Sequence, residues 1–213
     1  MTQDGVSKSV MNRLPRYLMY LKSLSEDAPE YISATTMAAA LNMGEVQVRK
    51  DLALVSDGGR PKVGYNRKAL IDDLEQFFGY DDTNMAVIVG AGKLGKALLD
   101  YVGFEEYGLS VLAAFDVDES VTGRTGSGKL ILPLSRLETF CKQNKVLIGI
   151  ITVPESGAQE VCDLLVHSGI KAIWNFAPTH LDAPSEILVQ YENMATSLAV
   201  LSKHLSAQMK KRN

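Results

Sequence analysis

The spacing of hydrophobic positions changes near residue 80 of this 213-residue chain. Before that point, apolar residues recur every three or four positions, which is typical of amphipathic helices. The first helix is predicted from Val10 to Leu24, with Pro15 tolerated because it falls near the first turn. From Met85 onward, short apolar runs alternate with helical patterns. The pattern predicts a helical N-terminal domain followed by an α/β domain.

A helix, a tight turn and another helix follow the first helix. Ser33 is predicted to cap a helix over Ala34–Leu41, and Asn-Met-Gly at 42–44 supplies the turn. The next helix is predicted from Glu45 to Val55. This arrangement is the helix-turn-helix pattern.

The helix predicted over 45–55 has two different faces. Val48, Leu52 and Val55 share one face and are expected to pack inward. The opposite face and its flank, which are basic, polar and small in side chain, present Val46, Gln47, Arg49, Lys50 and Ala53. A face of this kind suits the major groove of DNA, so the first four are predicted DNA contacts. The alternative is that the two cations only solvate a surface helix.

Residues 57–65, DGGRPKVGY, are typical of a β-hairpin tip. A hairpin after a helix-turn-helix is the wing of a winged helix, whose cations contact phosphates beside the groove. Arg60 and Lys62 are therefore predicted to contact DNA. The alternative is a plain interdomain loop. A helix over Asn66–Phe78, capped by Asn66, follows.

Charge supports a nucleic-acid partner only locally. The whole chain carries a formal net charge of -3, which by itself argues against such a partner. Residues 44–68, however, hold six basic and three acidic side chains, whereas residues 81–213 hold 12 basic and 15 acidic ones. The basic excess coincides with the predicted helix-turn-helix and wing.

The second half of the chain alternates strands with helices. Strands are predicted at 85–89, 110–115, 130–131, 146–153 and 171–174, and helices at 93–101, 135–142 and 155–167. This alternation predicts a parallel, doubly wound sheet of the Rossmann type, with a ligand crevice at the carboxyl ends of its strands.

Residues 90–95, GAGKLG, fit the G-x-G-x-x-G motif between a predicted strand and a predicted helix. The first glycine permits the tight turn, the second lets the backbone approach a pyrophosphate, and the third allows close helix–strand packing. Asp116, 21 residues after Gly95, ends the next strand, where a carboxylate accepts ribose hydroxyls and repels a 2′-phosphate. NAD(H) is therefore predicted to bind at Gly90, Ala91, Gly92, Lys93, Leu94, Gly95 and Asp116. The alternative is an empty or differently used crevice.

A second glycine-rich segment, GRTGSGK at 123–129, nearly matches a P-loop. It fails because Leu130 stands where a Mg²⁺-binding hydroxyl is needed and because no strong strand precedes it. We interpret it as a loop between strands, and we expect its cations to have no particular contact.

The remaining composition argues against several other classes of protein. No apolar run reaches the roughly 18 residues that a membrane span needs, and the N-terminus lacks the apolar core of a signal peptide. Cys141 and Cys162 form no closely spaced pair, and the three histidines share no ligand spacing. We therefore predict no disulfide framework, no metal site and no membrane contact, and a cytoplasmic location.

Motifs from both domains resemble the Rex family, bacterial repressors that sense the NADH/NAD⁺ balance. The similarity covers about residues 10–205. It is carried by RLPRY at 13–17, QVRKDL at 47–52, VGY at 63–65, the glycine motif, YVGF at 101–104, FDVD at 115–118, TVP at 152–154 and NFAP at 175–178.

The resemblance implies a homodimeric transcriptional repressor that binds operator DNA through its winged helices and NAD(H) through its Rossmann domain. NADH favours a conformation that no longer matches successive DNA half-sites, whereas NAD⁺ competes for the crevice and leaves DNA binding allowed. The resemblance also implies that Tyr101 lies near the nicotinamide, that Phe104 approaches the partner's nicotinamide pocket, and that Pro154 belongs to the cofactor site.

The C-terminus carries an apolar stripe at alternating spacings of four and three, formed by Met194, Leu198, Leu201 and Leu205. The resemblance implies that this helix is swapped into the partner subunit, and packing on its own domain is the alternative. The predicted domains are a winged helix at 1–80, a Rossmann domain at 81–186, and a dimerisation helix and tail at 187–213.

Five positions depart from the family pattern. Many relatives carry an Arg where this chain has Met19 and an acid near Asn193, a pair that resembles an interdomain contact. Pro-Lys at 61–62 stands where relatives often have Arg-Gly, and Lys93 replaces an Asn or Arg in the glycine motif. Operator preference and NADH sensitivity are therefore the two properties for which the resemblance is the weakest guide.

Two other functions compete with repression. An NAD-dependent oxidoreductase with an N-terminal appendage would need an acid–base residue beside the nicotinamide, and no histidine or lysine stands in a recognisable catalytic context. A Rossmann-like domain that binds coenzyme A would use the same helix N-terminus, but Asp116 argues against it. A titration with NADH separates a domain that binds NAD(H) from one that binds coenzyme A.

Overall fold

A computed structural model describes residues 6–80 and 84–212 of the chain. The chain divides into two compact units, Met1–Asp82 and Thr83–Asn213, and each has its own hydrophobic core. Residues 81–83, where the first two predicted domains meet, lie outside the described residues.

The first unit combines helices with a small antiparallel ribbon. The ribbon pairs β1 (Tyr31–Ile32) with β2 (Tyr65–Asn66). The helices are α1 (Lys8–Met11), α2 (Leu14–Ser23), α3 (Ala34–Leu41), α4 (Glu45–Leu52) and α5 (Arg67–Phe78). The predicted caps are confirmed: Ser33 Oγ accepts from Thr36 N at 3.0 Å, and Asn66 Oδ1 accepts from Ala69 N at 3.1 Å.

Two helix predictions in this unit were wrong in extent. The helix predicted from Val10 to Leu24 is two helices, because Pro15 has no amide hydrogen with which to extend α1 and instead occupies the first turn of α2. The helix predicted to reach Val55 ends at Leu52. After it, backbone amides donate hydrogen bonds to carbonyl oxygens three residues earlier, which is the pattern of turns. The inward face of α4 is confirmed, with Val48 and Leu52 fully buried.

The second unit is organised around a seven-stranded sheet among the described residues. Its strands are β3 (Asn84–Val89), β4 (Leu109–Asp116), β5 (Gly123–Arg124), β6 (Leu130–Pro133), β7 (Ile148–Ile151), β8 (Ala172–Asn175) and β9 (Leu188–Tyr191). Its α-helices are α6 (Lys93–Leu99), α7 (Leu137–Asn144), α8 (Glu155–His167) and α9 (Met194–Arg212). A 3₁₀ helix spans Val102–Tyr107.

The predicted doubly wound sheet is confirmed. The strand order is β5-β6-β4-β3-β7-β8-β9, and every pairing is parallel except that of β5 with β6. From β3 the chain first winds outward through β4 and β6, then returns to β7 and winds the other way. The winding direction therefore reverses between β3 and β7, where a ligand crevice is expected.

Strand β9 was not predicted. Its residues, LVQY at 188–191, fall within the range assigned to the C-terminal segment, yet they pair in parallel with β8 at the edge of the sheet. The strand is short and largely exposed, so it carries neither a buried apolar run nor a clear alternation.

Helix α9 presents its apolar stripe to solvent in the single chain. Leu198, Leu201 and Leu205 are 65%, 63% and 57% exposed, and the side chain of Met194 lies outside the described residues. The alternative that the stripe packs on its own domain therefore finds no support in this chain. Asn193 caps the helix, since its Oδ1 accepts from Thr196 N at 3.0 Å.

The cations of the loop at 123–129 do make contacts, contrary to expectation. Lys129 Nζ donates to Val111 O at 3.0 Å, and Arg124 Nη1 donates to Gly128 O at 2.7 Å. Thr125 Oγ1 also donates to Asp100 Oδ1 at 2.7 Å. Gly123 and Arg124 form β5, so the segment interpreted as a loop includes a short strand, and Gly126 and Gly128 lie in the turn that follows it.

Candidate dinucleotide crevice and nucleic-acid interface

The glycine motif joins β3 to α6 in a turn that packs against β7. Gly90 has φ +105°, and a Cβ there would come within 2.9 Å of Thr152. A Cβ on Gly95 would lie 1.8 Å from the Gly90 carbonyl oxygen. The Thr152 hydroxyl donates to that same oxygen at 2.7 Å. The protein itself therefore requires glycine at the first and third positions.

Gly92 differs from those two glycines. A Cβ there would meet no protein atom within 4 Å, and its φ of -71° suits any residue. Its place is open space at the N-terminus of α6, beside amide donors. The missing side chain leaves room for a group such as a pyrophosphate to approach the backbone.

Asp116 ends β4 beside this turn. Its Oδ2 accepts from Ala91 N at 2.6 Å, and its Oδ1 accepts from Asp118 N at 2.9 Å. A carboxylate has about four acceptor sites, so it retains capacity for ribose hydroxyls. The geometry fixes this carboxylate at the rim of the crevice, as an adenosine-binding acid requires.

The crevice is a cavity of about 660 Å³. Five of its lining residues come from the glycine turn, the end of β4 and the end of β7: Gly90, Gly92, Asp116, Thr152 and Pro154. The others include positions that sequence reasoning missed: Val117, Leu134, Val153, Ser156, Gly157, Glu160, Val161 and Leu164. Most of the missed ones lie on α8, which follows the switch-point strand β7, and the spacing of 156, 160 and 164 could have identified them.

The other predicted cofactor residues do not line the crevice. Ala91 and Gly95 are buried inside the turn, Leu94 is half-buried, and Lys93 is exposed at the start of α6. Tyr101 is exposed after α6. Phe104 is half-buried in the chain's own aromatic row, 4.9 Å from Tyr101 and 5.8 Å from Trp174 between ring centroids.

The outward face of α4 is exposed at each predicted position. Val46 is 65% exposed, and Gln47, Arg49 and Lys50 are exposed as well. Arg49 pairs with Glu45 one turn earlier. Only Arg49 among these also lines a groove of about 620 Å³ between α4, the start of α3 and the wing. That groove brings together three cations: Arg49, Arg60 and Lys62.

The wing is a short turn closed by one antiparallel bridge. Arg60 N donates to Gly64 O and Gly64 N donates to Arg60 O, both at 2.9 Å. Lys62 adopts φ +64°, a left-handed conformation that favours glycine. Position 62, where the resemblance suggests that relatives often have glycine, thus keeps the backbone conformation that glycine prefers, although its residue is a lysine.

A buried ionic cluster anchors α4 to α2. Arg13 Nε and Nη2 donate to Asp51 at 2.7 and 2.8 Å, and Tyr17 OH donates to Asp51 Oδ2 at 2.7 Å. Burial raises the pKa of Asp51, but these hydrogen bonds outweigh it and hold that pKa below its ordinary value. Burial and the bond to Asp51 raise the pKa of Tyr17 to about 12.

The polar side chains of the crevice are two carboxylates and two hydroxyls: Asp116, Glu160, Thr152 and Ser156. The described lining contains no histidine, lysine or arginine. His167 is exposed at the end of α8, and His180 stacks on Tyr191 with ring centroids 5.3 Å apart. Over residues 6–80 and 84–212, no group of metal-ligating side chains gathers and no helix is long and apolar enough to cross a membrane.

Comparison with known proteins gives two family matches. Residues 81–179 match a model described as a CoA binding domain, and residues 5–53 match one described as a putative DNA-binding protein N-terminus. Residues 54–80, which include the wing, lie in neither match.

Similar proteins and solved structures cover nearly the whole chain. The redox-sensing transcriptional repressor Rex of Treponema denticola is 41% identical over 90% of this chain and 91% of its own length. That of Bacteroides thetaiotaomicron is 37% identical over 94% and 91%. A crystal structure of RSP with β-NAD⁺ and operator DNA has a TM-score of 0.88 at 33% identity, covering 97% of this chain and 95% of its own. One of RSP with β-NADH has a TM-score of 0.87 at 33% identity, covering 98% and 99%.

Proposed function

The chain belongs to the Rex family of redox-sensing transcriptional repressors, and on that premise we propose that it binds operator DNA when NADH is scarce and releases it when NADH binds. The observation that carries the proposal is the pairing of two sites in one chain. One unit has a basic groove between α4 and the wing, and the other has a dinucleotide crevice. We also infer a cytoplasmic location, where the operator would lie.

In this proposal the dinucleotide is a regulatory ligand and the protein is not an enzyme. The relatives are named as repressors, and a ligand shifts a conformational balance only through its difference in affinity for the two states. The crevice residues are proposed to hold NAD(H), with Gly92 facing the pyrophosphate and Asp116 facing the ribose. The two winged helices of a homodimer would meet successive half-sites, joined through the exposed stripe of α9.

The match to a CoA binding domain motivates one alternative ligand. Coenzyme A would place its pyrophosphate at the same turn, but its ribose 3′-phosphate would bring negative charge toward the Asp116 carboxylate. Parallel titrations with NADH and coenzyme A separate the two. Saturable binding of coenzyme A that excludes NADH would favour the alternative.

The direct test is a titration of operator DNA in the presence of each dinucleotide. Duplexes selected from a random pool by the purified protein provide the operator, and fluorescence anisotropy gives its affinity. Saturating NADH is expected to weaken DNA binding at least tenfold, and NAD⁺ is expected to leave it allowed. An operator affinity that ignores saturating NADH would overturn the proposal.

Lys50→Ala is expected to weaken operator binding about tenfold and to leave NADH affinity unchanged. The change removes a cation from the exposed face of α4 in the first unit, whereas the crevice residues all lie in the second. Lys68→Ala, on α5, removes an equal charge from another exposed position and serves as the matched control. Equal losses of DNA binding in both variants would contradict the assignment of α4 to the DNA interface.

Lys62→Gly is expected to stabilise the wing and weaken DNA binding together. Relief of the left-handed conformation adds up to about 1 kcal/mol to the free energy of unfolding. Loss of one phosphate contact lowers operator affinity about threefold to tenfold and reduces the salt slope by about one. Thermal unfolding and anisotropy at several salt concentrations measure both. A variant that binds DNA as tightly as the wild type would exclude Lys62 as a contact.

In Asp116→Asn the preference for NADH over NADPH is expected to fall to about threefold or less, from a much larger preference in the wild type. The amide keeps the size of the side chain and one acceptor for the neighbouring backbone amides, but it no longer repels a 2′-phosphate. Nicotinamide fluorescence measures both affinities. If NADPH remains rejected, the carboxylate does not set the discrimination.

A further inference from the structure

The lining of the crevice includes five aliphatic side chains, which we call the apolar slot: Val117, Leu134, Val153, Val161 and Leu164. A dinucleotide with its pyrophosphate at Gly92 and its ribose at Asp116 would place its purine base in this slot. Aliphatic side chains suit the faces of a base, but they cannot distinguish one base edge from another.

Glu160 adds a polar group to this slot. It lies on α8 one turn after Ser156 and one turn before Leu164, and all three line the cavity. Its side chain is exposed and has no hydrogen-bond or ion-pair partner among the residues that the structure describes. Its carboxylate oxygens are therefore available to a ligand.

The charge of the lining constrains what this carboxylate can recognise. With Asp116, it gives the described lining two carboxylates and no cation. Asp116 already accepts two backbone amides, whereas Glu160 is uncommitted. Because an ionised carboxylate only accepts hydrogen bonds, a ligand edge at Glu160 must present a donor.

We propose that Glu160 accepts a hydrogen bond from the exocyclic 6-amino group of adenine and thereby selects adenine dinucleotides. Adenine carries a donor at position 6, whereas hypoxanthine carries a carbonyl oxygen there and its nearest donor, N1–H, at the next ring atom. A hypoxanthine ring placed as adenine is would therefore point its carbonyl oxygen at the carboxylate. A site that offers only an acceptor disfavours the ligand lacking the matching donor. The inference rests on the proposed binding of NADH.

The test compares NADH with reduced nicotinamide hypoxanthine dinucleotide, using nicotinamide fluorescence for both. The wild-type protein is expected to bind NADH about tenfold more tightly. In Glu160→Gln the preference should fall within about twofold, because a rotated amide accepts from the amine or donates to the carbonyl. The hypoxanthine dinucleotide should then bind more tightly than it binds the wild type, a gain that misfolding cannot produce.

Glu155→Gln is the matched control, since Glu155 is an exposed acid on the same helix outside the cavity lining. It is expected to keep the tenfold preference. No preference in the wild type, or an unchanged preference in Glu160→Gln, would overturn the assignment of Glu160. If neither dinucleotide binds the wild-type protein, the proposed function fails instead.

Discussion

Gly92→Val is expected to abolish NADH binding while the protein stays folded. A valine Cβ at this position meets no protein atom within 4 Å, so its methyl groups occupy the space proposed for the pyrophosphate. Loss of the close backbone approach should lower NADH affinity at least about a hundredfold. The cost to folding is about 1 kcal/mol, since valine is a poorer N-cap residue than glycine. The variant should bind operator DNA and no longer respond to NADH.

The control for this variant is Gly126→Val. Gly126 also has open space around its Cβ position and no left-handed backbone, but it lies in the loop at 123–129. NADH fluorescence titration and thermal unfolding of both variants separate a blocked site from a damaged fold. Unimpaired NADH binding in Gly92→Val would show that the ligand does not approach this turn.

Asp51→Ala is expected to abolish operator binding by unfolding the first unit. The substitution leaves Arg13 and the buried Tyr17 hydroxyl without their shared acceptor. Breaking a buried pair from one side costs about 3 to 5 kcal/mol, which is a large share of a small domain's stability. NADH binding in the second unit should persist, because the cluster lies wholly in the first.

The matched control is Glu45→Ala, which removes the acid of an exposed pair on the same helix. It should change the free energy of unfolding by no more than about 0.5 kcal/mol. The wild type should also lose stability as pH falls below about 4, since the Asp51 pKa is lower in the folded state than in the unfolded one. Glu45→Ala should show the same loss, because it leaves Asp51 and its partners in place. Chemical unfolding followed across pH measures it, and a first unit of the wild type that is as stable below about pH 4 as above it would contradict the role of Asp51.

Local signals in the sequence predicted much of the first unit. Ser33 and Asn66 cap helices at the predicted residues, because a side-chain acceptor before an amphipathic run is a local signal. The break between α1 and α2 was missed because the apolar spacing continues across it, whereas the backbone hydrogen bonds of a single helix cannot continue through Pro15. The partner of Asp51 was also hidden, since Arg13 lies 38 residues away and only the folded unit brings them together.

The candidate crevice was predictable where it follows the motif and hidden where it depends on the sheet. The glycine turn and Asp116 lie at spacings that the fold fixes. Glu160 and Leu164 carry no motif of their own, and they reach the cavity only because β7 lies next to β3. Strand β9 was hidden for a related reason: its pairing with β8 gives an edge strand little apolar pattern to display.

The exposed stripe of α9 has a consequence for regulation in the proposed dimer. The helix has 19 residues, so it extends about 28 Å with its leucines in water when the chain is alone. Covering those leucines by a second copy is governed by mass action, and dilution would favour separated chains. The NADH level that releases the operator would then depend on how many copies a cell holds. Repressor abundance would act as a second input beside the redox state.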